Sequence, residues 1–220
     1  MSNLSALFID LDGTIYPNNN GLWDAIARRM NIYMQEVLDL PIDEIPGLRE
    51  SYYRQYGTTL RGLQTHHQVN SEEFLAFVHD IPMLDFLAPD ARLTEMLAEL
   101  SYPKWILTNS DRAHSQRVLA ALGVQQFFRG IIDITAMNFH NKPEPEAFEV
   151  ALKMAGDPPP KRCVFVDDIP RNLVPAKALG MYTILVGADH GTPEIDVQIP
   201  DIYALPAAVA QIEKLAGTYV

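Results

Sequence analysis

Five short apolar runs rich in branched side chains constrain this chain most: Leu4 to Ile9, Trp105 to Leu107, Ile131 to Ile134, Cys163 to Val166 and Tyr182 to Val186. Apolar residues at consecutive rather than alternate positions suit strands covered on both faces. Between the later runs the apolar period turns helical. Leu93, Met96, Leu97 and Leu100 fall at i, i+3, i+4 and i+7, and Val118, Leu119 and Leu122 lead to Gly123, a residue type that closes helices. Pro143 and Pro170 stand where first-turn prolines open helices, one carrying Phe148, Ala151 and Leu152, the other Leu173, Ala176 and Leu179 before Gly180. This alternation predicts an α/β fold, a Rossmann-like parallel sheet flanked by helices.

The alternation breaks after Tyr16. From there to Pro89 the pattern is helical, with an apolar stripe of Ile26, Met30, Tyr33, Met34 and Val37 and a helix start at Ser71 ahead of Glu72, Glu73, Phe74, Phe77 and Val78. Residues 17–88 therefore read as a helical insertion into a core made of 1–16 and 89–220. A chain of 220 residues suits one domain with a large insertion better than two equal halves. Pro158, Pro159 and Pro160 form a stiff connector, and no internal repeat or surplus apolar stripe marks an oligomeric interface.

The 28 acidic residues exceed the 17 basic ones, giving a formal charge of −11. That balance disfavours nucleic acid polymers and anionic membranes, which need a basic footprint. Cys163 is the only cysteine, so intramolecular disulfides and CxxC sites are excluded and a reducing cytoplasm is the expected compartment. No purely apolar run exceeds five residues, and Asp10 and Asp12 interrupt a signal-peptide reading of the amino terminus.

In open parallel sheets the working groups gather at the carboxyl ends of the strands. The first run ends in Asp10-Leu11-Asp12-Gly13-Thr14, the second in Thr108-Asn109-Ser110 and the fourth in Asp167-Asp168, while Lys142 lies in the loop after the third. Each has a plain reading alone. Asp12-Gly13 can be a turn, Asp167 and Asp168 a helix cap before Pro170, Ser110 or Asp111 a cap for the next helix, and Lys142 a solvated lysine. Acids paired on one sheet edge repel each other unless a cation or a shared proton offsets them, and two such pairs suggest an oxygen-rich Mg²⁺ site. Thr108, at the strand's last position, is suited to hold an anion with the N–H groups beyond it.

These four segments, taken in order, resemble the motifs of the haloacid dehalogenase-like phosphohydrolases, and the resemblance spans nearly the whole chain. It implies that the insertion is a cap of the type placed between the first and second motifs. It also implies Asp10 as a nucleophile forming an aspartyl-phosphate, and Asp12 as the acid that protonates the leaving group and then activates water. Mg²⁺ would be held by Asp10, the Asp12 carbonyl and Asp168, with Asp167 acting through a water or through those ligands. Thr108, Asn109 and Lys142 would bind the phosphate oxygens. Dehalogenases of the family lack an acid at the position of Asp12, so the resemblance implies a phosphatase or a phosphomutase.

Within the insertion, Tyr56-Gly57-Thr58-Thr59-Leu60-Arg61-Gly62-Leu63, together with Asp10 through Pro17, resembles the pyrimidine 5′-nucleotidases of fungi and plants. The substrate implied is a small phosphorylated metabolite, a nucleoside monophosphate such as UMP or CMP. Tyr56 would stack on the base, Thr58 or Thr59 would hydrogen-bond it, and Arg61 would pair with a ribose or phosphate oxygen. Any of these can instead fasten the insertion to itself. His66 and His67 lack a third ligand and read as packing or surface groups. The competing readings are a phosphatase or mutase acting on phosphoglycolate or a sugar phosphate, and a phospho-accepting signalling domain.

Overall fold

The computed structural model describes residues 4–187 and 193–217. Its centre is a six-stranded, wholly parallel sheet with strands β1 (Ala6–Ile9), β2 (Lys104–Leu107), β3 (Phe128–Ile132), β4 (Cys163–Asp167), β5 (Tyr182–Val186) and β6 (Val197–Ile199) in the order β3-β2-β1-β4-β5-β6. The chain is thus a Rossmann-like α/β protein. The order reverses between β1 and β4, and Phe8 pairs with both Trp105 and Phe165 across that switch. Alternate strand residues enter opposite layers: Leu7, Ile9, Val164 and Val166 join one apolar cluster, and Ala6, Phe8, Cys163 and Phe165 the other.

Helices α1 (Leu22–Glu36), α2 (Ile45–Tyr56), α3 (Thr59–His67) and α4 (Ser71–Val78) lie between β1 and β2. The rest alternate with strands: α5 (Ala91–Glu99), α6 (Arg112–Leu122), α7 (Pro145–Met154), α8 (Pro170–Ala178) and α9 (Leu205–Gly217). The second cluster is continuous from the sheet into the insertion, joining Phe8, Leu107 and Phe165 to Tyr33, Tyr52, Leu63 and Phe74. Among the described residues no helix is long and apolar enough to cross a membrane.

Several details differ from the sequence reading. β3 begins at Phe128 and ends at Ile132, and Ile134 is buried in the loop beyond, where its N–H bonds the Ser110 carbonyl. Gly130 allows β3 to lie against Trp105, whose indole a Cβ would meet at 2.7 Å. β6 has only three residues, too few for a periodic signal. The proline opening α7 is Pro145, because Pro143 sits in a turn closed by the Glu144 N–H on the Asn141 carbonyl at 2.8 Å. α4 is capped by Asn70, whose side chain accepts from the N–H groups of Glu72 and Glu73. Val37 ends the α1 stripe exposed, whereas Ile26, Tyr33 and Met34 are buried.

Candidate active site

The carboxyl ends of β1, β2 and β4 open onto a cavity of about 610 Å³ whose other walls come from α1 to α4. The backbone after β1 turns sharply because Gly13 takes φ +89°, and a Cβ there would overlap the Asn18 amide and the Asp168 carboxylate. Glycine is required by both the dihedral and the space. The turn carries Asp10, which is buried, and sets Asp12 one turn further on with its carboxylate against α6.

Lys142 is the hub. Its side chain is fully buried, and Nζ donates to Asp10 Oδ1 at 2.6 Å, to Asp167 Oδ2 at 2.8 Å and to the Leu107 carbonyl at 2.9 Å. Asn109 fixes the lysine's backbone, accepting its N–H at 2.8 Å and donating to its carbonyl at 3.0 Å. Both ends of the Asn109 amide are thereby occupied. Asp167 also accepts from Asn172 Nδ2 and from the Ile169 N–H, so its oxygens are saturated. Thr14 Oγ1 lies 3.0 Å from Asp10 Oδ2 and 3.2 Å from Asp168 Oδ1, and accepts the Asp168 N–H. Thr108 lines the cavity while its Oγ1 accepts the Ser110 N–H.

Carboxylate oxygens of Asp10, Asp167 and Asp168 all lie within 4.8 Å of one another. Lys142 is one cation facing three acids. Burial alone would lower its pKa, yet the attraction of Asp10 and Asp167 holds it above the ordinary lysine value. Burial, with Asp167 and Asp168 adding and Lys142 opposing, pushes the Asp10 carboxyl well up; burial and Asp167 push Asp168 up to about 6. A buried cluster short of positive charge, in which Asp10 and Asp168 also face the neutral donors Thr14 and Asn18, fits a hard divalent cation.

Asp12 behaves in the opposite way. Burial would raise its pKa, but the charge of His114 and hydrogen bonds from His114, Ser110 and Tyr16 outweigh it and hold the carboxyl below the ordinary range. His114 Nε2 lies 2.8 Å from Oδ1, Ser110 Oγ donates to Oδ2 at 2.6 Å, and the Tyr16 hydroxyl also donates to Oδ1. Two aspartates on one turn are thus driven apart, Asp10 toward its protonated form and Asp12 toward its ionised form when no cation is bound.

The structure brings Asp10, Asp12, Thr108, Asn109, Lys142 and Asp168 into the cavity wall, with Asp167 behind Lys142. Thr58 and Thr59 also line it, and Thr58 caps α3 by accepting the Arg61 N–H. Tyr56 and Arg61 do not line it: the Tyr56 hydroxyl meets His66 Nε2 at 2.8 Å, and Arg61 faces Glu144 at 3.7 Å. His67 is likewise tied to Tyr52, at 2.9 Å. The aromatic walls are Trp23, Tyr53 and Phe74 instead, and Arg171 stacks on Tyr53 at 4.0 Å. Sequence reasoning passed over His114, Tyr16, Thr14, Asn172 and His79. Thr14 and Tyr16 lie within the Asp10 to Pro17 stretch, and His114 left a local trace as the third residue after the α6 cap Asp111, which accepts its N–H at 2.8 Å.

Residues 4–180 match the family described as haloacid dehalogenase-like hydrolase. Phosphate metabolism protein 8 of Saccharomyces cerevisiae is 30% identical over 192 residues, 81% of this chain, and the chain spans 60% of that relative's length. Among solved structures, β-phosphoglucomutase of Clostridium difficile superposes with a TM-score of 0.67 at 19% identity, covering 98% of each chain. The HAD-hydrolase YfnB of Bacillus subtilis, solved with magnesium bound, gives 0.65 at 14% identity, covering 94% of this chain and 98% of its own. At such identities the likeness concerns the fold.

Proposed function

Because the chain belongs to the haloacid dehalogenase-like hydrolases, we propose that it is a phosphomonoester hydrolase that works through an aspartyl-phosphate on Asp10 and prefers pyrimidine nucleoside 5′-monophosphates. The observation that carries this reading is geometric: a buried Asp10 bound by Lys142 shares one cavity with Asp12 and Thr108. On this reading residues 17–88 are the cap, residues 1–16 and 89–220 the catalytic core, and the protein works in the cytoplasm.

A phosphomonoester brings about two negative charges, which must be balanced before a carboxylate can approach. Lys142, Thr108 and the N–H groups after β1 and β2 receive its oxygens; Asn109 acts by holding the Lys142 backbone. Asp10 and Asp168, with the Asp12 carbonyl, are the groups that would hold Mg²⁺, and Asp167 keeps Lys142 and Asn172 in line behind them. When bound, that ion would neutralise charge on the transferring phosphoryl group. In the first half-reaction an Asp10 oxygen bonds to phosphorus as the ester P–O bond breaks, and the leaving oxygen takes a proton from Asp12. In the second, Asp12 takes a proton from water, whose oxygen bonds to phosphorus as the Asp10 carboxylate departs.

The cavity volume of 610 Å³ is ample for a mononucleotide. Trp23 and Tyr53 give it aromatic faces for a base, and Thr58 and Thr59 supply hydroxyls. Support for the pyrimidine preference comes from the stretch around Thr58 and from the motif through Pro17. The test is a panel of UMP, CMP, AMP, phosphoglycolate and hexose phosphates, assayed with Mg²⁺ and with chelator. Release of phosphate from UMP and CMP ahead of the others, abolished by chelator, is expected. A preference outside nucleotides would overturn the substrate assignment, and stoichiometric phosphorylation without turnover would overturn the hydrolase.

A further inference from the structure

Asp12 is joined to the insertion by a buried pair of histidines. His114, fully buried near the start of α6, meets Asp12 Oδ1 through Nε2 at 2.8 Å, while its Nδ1 is buried without a hydrogen-bond partner. Its ring stacks on that of His79, centroids 4.2 Å apart and planes 24° apart. His79 closes α4 and is itself buried. Its Nδ1 lies 2.5 Å from Asp111 Oδ2, and its carbonyl accepts from Arg117 at 2.5 Å. Asp111 also accepts the His114 backbone N–H, so one carboxylate holds both the His79 ring and the start of α6 that carries His114.

We propose that His114 is a positioning residue for Asp12, and that His79, delivered by α4, keeps the His114 ring in the orientation that aims the Asp12 carboxyl. The proposal rests on the reading of Asp12 as the acid and base of the reaction. Of the three groups on Asp12, the Tyr16 and Ser110 hydroxyls can rotate and exchange donor for acceptor roles as the carboxyl gains and loses its proton. The imidazole cannot rotate, because it is enclosed and stacked. Its Nε2 therefore gives the carboxyl the one partner of the three that keeps a fixed direction. Misaiming a reacting group by about 1 Å costs on the order of 100-fold in rate.

The test exploits what the proton is for. An alkyl phosphate needs protonation of its leaving oxygen, whereas p-nitrophenolate leaves without it. The quantity is kcat/KM for 5′-UMP divided by kcat/KM for p-nitrophenyl phosphate, in which any unfolded fraction cancels. In His114→Phe, which keeps the stack and removes the donor, this ratio should fall at least about tenfold. His114→Ala is the second variant should the phenylalanine not fold. His114→Gln, whose amide N–H reaches the place of Nε2, should recover much of the ratio, and His79→Ala should lower it in the same sense but less. Asp12→Asn is the reference. If it lowers the ratio while His114→Phe and His114→Ala leave it unchanged, the inference is overturned and the reading of Asp12 stands. If Asp12→Asn itself leaves the ratio unchanged, that reading falls. An unchanged ratio in His79→Ala removes His79 from the arrangement.

Discussion

Asp168→Asn is expected to stabilise the metal-free protein while abolishing its response to magnesium. In the fold the Asp168 carboxyl is pushed up to about 6 by burial and by Asp167. An unfolded aspartate titrates near about 3.9, and the gap corresponds to about 3 kcal/mol at most. Between about pH 4 and about pH 6 the folded chain binds more protons than the unfolded one, so stability falls as pH rises through that window and stays at the lower level above it. Asp10, shifted the same way, steepens the fall. Asparagine keeps the shape and can still accept from Asn18 Nδ2 while its own amide N–H turns to Thr14 Oγ1, but has no charge to hold against Asp167. In EDTA at about pH 7.5 the variant should gain about 2 kcal/mol, or roughly 4–8 °C in Tm for a chain of this size. Urea unfolding across that pH range reads the free energy, and thermal unfolding with and without Mg²⁺ reads the response to the ion. A variant no more stable than the wild type in EDTA would refute the claim that these acids are held together at a cost.

Asp10→Asn should lower kcat by on the order of 10⁴-fold or more with an unchanged circular dichroism spectrum, and near-normal turnover would remove Asp10 as nucleophile. Lys142→Met leaves Asp10 and Asp167 buried without their cation; urea unfolding should show a loss of about 3–5 kcal/mol at neutral pH, and phosphate release should fall at least about 100-fold. Gly62→Ala drives a methyl group into the Tyr52 ring where α3 crosses α2, and thermal unfolding should register about 1–3 kcal/mol of destabilisation.

The sheet was legible because buried parallel strands write themselves as unbroken apolar runs, and their order along the chain puts polar strand-ends on one edge. β6 was not, since Val197 and Ile199 flank a single exposed Gln198. Asp10 and Asp12 could be singled out because two acids at one strand end are costly without a common purpose, whereas Lys142, in the loop after β3, stood out only by its place relative to those acids and in the ordered motifs. The partners of Asp12 could not, because His114 and Tyr16 reach it from α6 and from the turn after β1, 102 and four positions away. Tyr56 was expected to face a base, but α2 ends there and Gly57, at φ +89°, turns the chain, leaving Tyr53 rather than Tyr56 on the cavity wall. Which tyrosine faces inward depends on helix phase relative to the sheet, and that is a tertiary fact.

Phe8, Leu107 and Phe165 share one apolar cluster with Tyr33, Tyr52, Leu63 and Phe74, so the interior of α1 to α4, where Tyr33 meets Phe74 edge-on at 5.0 Å, runs on into that of the sheet. Helices whose core is continuous with that of a sheet melt with it, and calorimetry should meet one endotherm rather than a loosening of α1 to α4 followed by collapse of the rest. On the reading of residues 17–88 as a cap, substrate exchange calls for hinge-scale breathing about the chain crossings near Pro17 and Pro89, because lifting the helices away would expose that shared apolar surface.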